Sequence, residues 1–327
     1  MVTSAWGGML GIGMVLGAWV SISSSSWVGV WLGLELNLLC FIPLMVQRQK
    51  KMGEVSVVYF LIQSCGSFIL LMAGVGMVSY GLAAGVLVSV ALLLKMGAAP
   101  VHFWYIWVAK ELSWMQFITL STIQKVAPVT LLTLSSVKES MSWVYMSIIL
   151  CGVVGGVGGI SALSFRSLLA YSAINHLGWI LILVVEGSAF WVSYFCMYCI
   201  LLFMVVSTLM IFSIFHLSQV TKVSYLKGGW VLLVAMMSLS GLPPLVGFLP
   251  KWGVFMNCSG GVNMVCMVVM VLSSVVGVYF YLRASFTSIL VGIEGGAMEG
   301  GALNVTGLSL SLVVNLLGFW FSGALLY

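Results

Sequence analysis

Residues 91–104 read ALLLKMGAAPVHFW and place Lys95 inside a long apolar run. Gly97 and Pro100 follow it, and a proline inside a helix removes one backbone hydrogen bond and clashes with the preceding turn. In lipid, backbone that leaves the helical ladder is tolerated only where it is covered by protein or lines a water-filled cavity. The segment therefore predicts a membrane helix that is interrupted beside a buried charge.

A second interrupted segment lies towards the C-terminus, where residues 240–252 read SGLPPLVGFLPKW. Three prolines and two glycines precede Lys251, so this helix is also predicted to break next to a lysine. Interrupted helices in corresponding halves of a chain are typical of inverted-repeat transporters, whose sites lie at the interruptions.

The composition indicates that both segments belong to a membrane protein. Of the 327 residues, 62% are hydrophobic and 6% are charged, whereas about 25% are charged in an ordinary soluble domain. Apolar runs of about 20 residues, long enough to cross a bilayer as a helix, recur along the chain. They predict about eleven transmembrane helices, at residues 4–22, 27–46, 55–78, 82–107, 116–137, 143–163, 168–185, 190–215, 230–256, 262–283 and 305–326.

The positions of the two interruptions predict the arrangement of these helices. Lys95 falls on the fourth and Lys251 on the ninth, and a shift of five helices reverses the direction of insertion. We therefore expect a single all-α polytopic membrane domain made of two inverted five-helix repeats with discontinuous helices, residues 1–137 and 143–283. The helix at 305–326 is then an additional C-terminal helix.

The basic residues between the predicted helices indicate the orientation. Lys138 follows an odd-numbered helix. Eight others follow even-numbered helices: Arg48, Lys50, Lys51, Lys110, Arg166, Lys222, Lys227 and Arg283. Basic loops stay on the inner side of a membrane, so the N-terminus is predicted inside and the C-terminus outside.

Four ionisable residues lie within predicted helices: Glu35, Lys95, Lys125 and Lys251. One such residue near the bilayer centre costs about 2.5–3.5 kcal/mol on insertion scales. The four must therefore be paired, hydrated or partly neutral, and groups of this kind are suited to exchanging protons. The structural alternative is that they tie helices together as ion pairs or extend to the membrane surface.

The histidines allow two interpretations. His176, in the apolar segment 171–179 (YSAINHLGW), is either a hydrogen-bonded core residue or a proton relay, since imidazole titrates near neutral pH. The same alternatives apply to His102, beside the first interruption. His216 lies on a third segment, and no two histidines face each other along one helix, which argues against a bis-histidine haem protein.

No sequence pattern indicates a bound metal or cofactor. The seven cysteines lack the spacing of a zinc or iron–sulfur site, and no Rossmann glycine fingerprint occurs. The net charge of +5 is too sparse to suggest a nucleic-acid partner. The glycine-rich run 152–159 (GVVGGVGG) lacks the Lys-Ser/Thr of a phosphate loop and predicts a helix-packing face.

Five motifs occur in an order that resembles a known family. They are GLELN with FIPLM (33–45), KMGAAPVHFW (95–104), QKVAP (124–128), YSAINHLGW (171–179) and SGLPPLVGFLPKW (240–252). In these the chain resembles the chain 2 family of mitochondrial NADH:ubiquinone oxidoreductase, antiporter-like subunits in the membrane arm of respiratory complex I. The resemblance covers residues 30–255, and the final predicted helix agrees with it.

The resemblance implies a multi-pass protein of the mitochondrial inner membrane, with its N-terminus on the matrix side and its C-terminus on the intermembrane-space side. Its function would be proton translocation coupled to electron transfer from NADH to ubiquinone, as a core subunit of the proton-translocating reductase. NADH, flavin, iron–sulfur clusters and ubiquinone would be bound by other subunits. The implied partners are a neighbouring antiporter-like subunit, small membrane chains, and phospholipids such as cardiolipin.

The resemblance also implies roles for the buried charges. Glu35 and Lys95 would form a pair, Lys125 would connect it onwards, and Lys251 would lie on the second broken helix near the exit, with His176 as a relay candidate. After the first broken helix the family shows a Pro-Glu pair, whereas this chain has Ala-Lys-Glu at 109–111, so the role of Glu111 stays open.

The alternative function is a free-standing cation/proton antiporter, which would use the same broken helices and buried charges. An antiporter should purify alone or with close relatives. A complex I subunit should purify with a very large NADH-oxidising assembly.

Overall fold

The computed structural model describes residues 2–46, 52–135, 141–222, 230–243, 245–258 and 264–294. Within these ranges the chain is helical and forms no β-strand beyond one isolated bridge between Ser164 and His216. The α-helices are α1 (Val2–Ser23), α2 (Trp27–Val46), α3 (Met52–Met96), α4 (Phe103–Glu111), α5 (Trp114–Ser121), α6 (Ile123–Leu134), α7 (Met141–Ser161), α8 (Phe165–Val185), α9 (Phe190–Ile211), α10 (Trp230–Ser240), α11 (Phe248–Asn257) and α12 (Met264–Glu294). The predicted helix at 305–326 lies outside these ranges, as do five of the loop residues that indicate the orientation: Arg48, Lys50, Lys51, Lys138 and Lys227.

The helical segments have the length and surface of a membrane protein. Eight segments in the described part of the chain are long and apolar enough to cross a bilayer. Large apolar side chains face outwards along them; Met9 and Trp19 are each 69% exposed, and Met264 is 77% exposed. Soluble proteins rarely expose apolar surface on this scale. The all-helical polytopic membrane fold predicted from the sequence is therefore confirmed in this form.

Helix α3 contains a reversal of the chain. It spans 45 residues, and a straight helix would separate Gln63 from Lys95 by about 48 Å at 1.5 Å per residue. Instead, Gln63 Nε2 donates a hydrogen bond of 3.2 Å to the Lys95 carbonyl. The limbs Gly53–Gly76 and Ala83–Met96 must therefore run antiparallel, as expected for two predicted spans.

Three predicted spans are interrupted. The breaks between α3 and α4 and between α10 and α11 fall at the glycines and prolines that predicted them. A third break, at Thr122 between α5 and α6, was not predicted; its φ of −116° and ψ of −81° are not helical. Pro128 lies inside α6 and cannot donate a backbone hydrogen bond to the residue 124 carbonyl. Lys125 thus sits where the helical ladder is incomplete on both sides.

The chain divides into two compact units, Met1–Cys151 and Gly152–Tyr327. In the first unit, α1 and α2 touch through their backbones. A Cβ atom added to Gly33 would lie 2.7 Å from the Gly17 carbonyl oxygen, a separation that real Cβ atoms do not adopt. This close approach requires glycine and fixes the part of α2 that carries Glu35.

In the second unit, α8 forms the core, since nearly all of its residues from Phe165 to Val184 are buried. The glycine-rich part of α7 packs against it. A Cβ atom on Gly155 would lie 2.9 Å from the Asn175 nitrogen, and one on Gly158 would overlap the Tyr171 ring. The predicted helix-packing face is confirmed.

Candidate functional site

Lys95 occupies the last turn of α3 and is only 6% exposed. The helix ends at Gly97, whose φ of +71° lies in the left-handed region that glycine adopts without strain. The last carbonyls of a helix have no intrahelical donor and carry partial negative charge. A basic residue in the last turn of a helix is favoured by this partial charge.

Glu35 reaches the same place from α2. Its Oε1 accepts a hydrogen bond from Ser67 Oγ on the first limb of α3, and the carboxylate is close enough to interact electrostatically with the Lys95 ammonium. The structure thus brings together Glu35 and Lys95. It adds Ser67 and Gln63, which sequence reasoning did not identify.

Lys125, 3% exposed, lies at the start of α6. Its Nζ is 4.5 Å from the centroid of the Tyr105 ring on α4, which is a cation–π distance. The Tyr105 hydroxyl is 3.1 Å from Ser121 Oγ, and a Cβ atom on Gly97 would lie 2.8 Å from Tyr105 Cβ. Tyr105 therefore packs on the break that follows Lys95 and also contacts Lys125.

Two further contacts join the surroundings of these charges. Gln124 Nε2 donates a hydrogen bond of 2.7 Å to Asn37 Oδ1, which connects α6 to α2 two positions after Glu35. The Ala99 N–H donates to Cys151 Sγ at 3.2 Å, and this thiol is buried. The interruption after Lys95 is thus anchored to α7.

Sequence reasoning missed these polar partners because single Ser, Gln, Asn and Cys residues in apolar helices form no motif. One usable signal existed. Gln63 and Ser67 are four residues apart, so both must lie on one face of their helix, and both are buried. Two polar residues on one face of a membrane helix favour a polar partner on a neighbouring helix.

Lys251, in α11 of the second unit, is 6% exposed. Its Nζ donates a hydrogen bond of 2.6 Å to the carbonyl of Ser240, the last residue of α10. The Nζ atom lies 6.0 Å from the centroid of the Trp179 ring. Gly241 follows with a φ of +79°, and a Cβ atom there would lie 3.0 Å from both Cδ and Cε of Lys251.

The two lysines reach equivalent places from different positions in the sequence. Lys95 lies two residues before the positive-φ glycine of its break, whereas Lys251 lies ten residues after Gly241. Even so, Lys95 lies in the last turn of the helix that precedes its break, and the Lys251 ammonium bonds to the last residue of the helix that precedes its own break. Within each unit the negative end of an interrupted helix therefore faces a buried lysine.

His176 is buried on α8, and its Nδ1 is 3.0 Å from the Tyr194 hydroxyl on α9. The Tyr198 ring lies beside it, with 5.0 Å between the ring centroids. Trp179, which contacts Lys251, is three residues further along the same face of α8. His176 thus has the hydrogen bond of a core histidine and lies one turn from the lysine's aromatic neighbour.

The remaining candidates lie at the ends of α4. His102 Nδ1 is 3.1 Å from the Pro100 carbonyl oxygen, and Glu111 is exposed at the end of the helix. In the part of the chain that the structure describes, no group of three or more His, Cys, Asp or Glu residues could hold a metal ion. The three buried lysine amines and the half-buried carboxylate of Glu35 are groups that can exchange protons.

Comparisons with known proteins place this chain in a family. Residues 24–82 and 79–277 match the model described as NADH:quinone oxidoreductase/Mrp antiporter, transmembrane. NADH-ubiquinone oxidoreductase chain 2 of Anopheles gambiae is 37% identical over 315 residues, which cover 92% of each chain. The protein of the same name from Locusta migratoria is 33% identical over 288 residues, covering 85% of this chain and 84% of the relative.

The fold is shared with a solved structure. A chain in respiratory complex I from Thermus thermophilus with bound Aureothin has a TM-score of 0.77 at 22% identity, over 96% of this chain and 78% of that chain. The chain therefore belongs to the NADH:quinone oxidoreductase/Mrp antiporter family, and within it to the NADH-ubiquinone oxidoreductase chain 2 proteins.

Proposed function

We propose that the chain is a core membrane subunit of respiratory complex I and takes part in proton translocation across the mitochondrial inner membrane, coupled to electron transfer from NADH to ubiquinone. The observation that carries this proposal is the placement of Glu35 and Lys95 against one stretch of α3, residues 66–67, where Ser67 bonds to Glu35 and Gly66 packs on the Lys95 side chain beside an interrupted helix. As a subunit of the proton-translocating NADH:ubiquinone reductase, the chain moves protons. Other subunits bind NADH, flavin, iron–sulfur clusters and ubiquinone.

The Glu35–Lys95 pair acts as a switch. In one state Lys95 Nζ holds a proton while Glu35 is ionised, because an opposite charge and the negative helix end both favour the ammonium, whereas burial disfavours it. When Glu35 moves away or takes up a proton, the ammonium loses its partner. Lys95 then releases its proton.

Lys125, in the first unit, receives this proton. His176 then acts as a relay, and Lys251, in the second unit, passes the proton on towards the exit. The contacts of Tyr105 with the break and with Lys125 support the first step. The Lys251 hydrogen bond to Ser240 supports the last, since it places an exchangeable proton at an interrupted helix.

The arrangement in the membrane follows from the same proposal. Residues 1–137 and 143–283 are inverted five-helix repeats. The N-terminus lies on the matrix side and the C-terminus on the intermembrane-space side. The neighbours are another antiporter-like subunit and small membrane chains, with phospholipids such as cardiolipin between the helices.

Glu35→Gln tests the switch. The amide fills the same space without the charge, so we expect fewer protons translocated per NADH oxidised, with an unchanged rate of NADH oxidation by an artificial electron acceptor. The measurement is proton uptake by vesicles containing the purified complex. Glu54→Gln, which neutralises an exposed carboxylate in the first turn of α3, is the matched control. A wild-type ratio in Glu35→Gln would contradict the proposal.

A further inference from the structure

We propose that Gln63 and Ser67, on the first limb of α3, are positioning residues that set the separation between Glu35 and Lys95. This inference rests on the proposed function, because it concerns the geometry of the same pair. Ser67 contacts the acid, and Gln63 contacts the backbone of the base.

Ser67 is 2% exposed, and its Oγ has two acceptors within reach. One is the Glu35 carboxylate, and the other is the carbonyl oxygen of Ser64 in the preceding turn, at 2.9 Å. A hydroxyl carries only one hydrogen to donate. While Glu35 is ionised, the charge-assisted bond is the stronger of the two. When Glu35 is neutral or displaced, the hydroxyl turns to the Ser64 carbonyl and remains satisfied.

Because Ser67 has two acceptors, Glu35 can move away without leaving the buried Ser67 hydroxyl without a hydrogen-bond acceptor. An unsatisfied buried hydroxyl would oppose the movement of Glu35, because it would lose its hydrogen bond without gaining one from water. The carbonyl of Ser64 removes that penalty. Ser67 can therefore hold Glu35 in one state and release it in the other.

Gln63 acts on the other member of the pair. Gln63 is 5% exposed, and its Nε2 donates a hydrogen bond of 3.2 Å to the Lys95 carbonyl oxygen. This carbonyl is one of those at the helix end that have no donor within the helix. Between the two polar residues, a Cβ atom on Gly66 would lie 3.2 Å from Lys95 Cγ. Glycine thus allows the two limbs to touch here.

One short segment, residues 63–67, therefore holds the acid and the backbone of the base at once. A shift of this limb along its axis changes both contacts together. The separation of Glu35 and Lys95 is thereby tied to the position of this limb.

Ser67→Ala tests this inference in the intact NADH-oxidising complex. Losing a hydrogen bond to a charged group shifts an equilibrium by about tenfold or more. We expect the protons translocated per NADH to fall to a value between wild type and Glu35→Gln. We also expect the Glu35 carboxyl band, identified in NADH-triggered infrared difference spectra by its loss in Glu35→Gln, to change frequency.

Ser67→Thr keeps the hydroxyl and is expected to restore both the ratio and the band. Ser56→Ala is the matched control, because Ser56 is a buried serine on the same limb whose hydroxyl bonds to the Gly53 carbonyl instead. Ser67→Cys introduces a weaker donor of similar size. It is expected to change the proton-to-NADH ratio and the band frequency in the same direction as Ser67→Ala but by less, and it replaces the alanine variant in the test if that variant does not assemble.

The outcomes separate the two proposals. Suppose that Glu35→Gln lowers the number of protons translocated per NADH, but the Ser67 variants keep both the wild-type number and the wild-type Glu35 carboxyl band. This result would overturn the positioning role and leave the proposed function standing. A wild-type ratio in Glu35→Gln itself would overturn the proposed function. A lower ratio in Ser67→Ala with an unshifted band would mean that Ser67 acts on packing only, which also overturns the positioning role.

Discussion

Lys95→Met is expected to remove this subunit's entire contribution to the protons translocated per NADH oxidised, while NADH oxidation by an artificial electron acceptor continues at the wild-type rate. Methionine has a similar length and fills the buried site, but it cannot hold a proton. The substitution also leaves the half-buried carboxylate of Glu35 without its cationic neighbour. The measurement is proton uptake by vesicles that contain the purified complex, related to NADH consumed.

Lys110→Met provides the control, because Lys110 is exposed at the end of α4 and is separated from Lys95 by the break. It should leave the ratio at the wild-type value. If Lys95→Met matched this control, proton release from Lys95 would play no part in translocation.

Gly247→Ala should prevent normal assembly of the second unit. Gly247 precedes α11, and a Cβ atom there would overlap the Ser238 carbonyl oxygen and lie 2.7 Å from the Ser238 carbonyl carbon. Overpacking usually costs about 1–3 kcal/mol, and more where the obstacle is backbone. Relief of the overlap requires α10 and α11 to separate, which breaks the Lys251 hydrogen bond to Ser240. The amount of the chain in the complex, measured on native gels, should fall severalfold.

Gly8→Ala is the matched substitution, because a Cβ atom on Gly8 meets nothing within 4 Å. In a helix this change is neutral or stabilising by up to about 1 kcal/mol. Equal amounts of both variants in the assembled complex would show that the backbone approach at Gly247 does not limit folding.

The helices were predictable because lipid leaves the backbone no alternative to helical structure. The span at 27–46 coincides with α2, and those at 168–185 and 190–215 agree with α8 and α9 within four residues. Both lysine-bearing breaks were predictable for the same reason. Glycine and proline have the same local effect on a helix wherever it packs.

The partners of the charges were not predictable in the same way. The hydrogen bond from Ser67 to Glu35 depends on which faces of α2 and α3 meet, and the break at Thr122 carries no glycine or proline at its own position. Lys251 lies ten residues beyond its glycine, yet it returns to the end of α10. These features depend on tertiary packing, which a sequence pattern of single residues does not encode.

The most direct test of the Glu35–Lys95 switch compares proton-to-NADH ratios in Glu35→Gln, Lys95→Met and the double variant, measured in the same vesicles. Residues that act as one unit give strongly non-additive effects in such a cycle. If the pair is the switch, each single variant loses this subunit's contribution and the double variant loses no more than either one. Independent losses that add in the double variant, or a wild-type ratio in either single variant, would contradict the account.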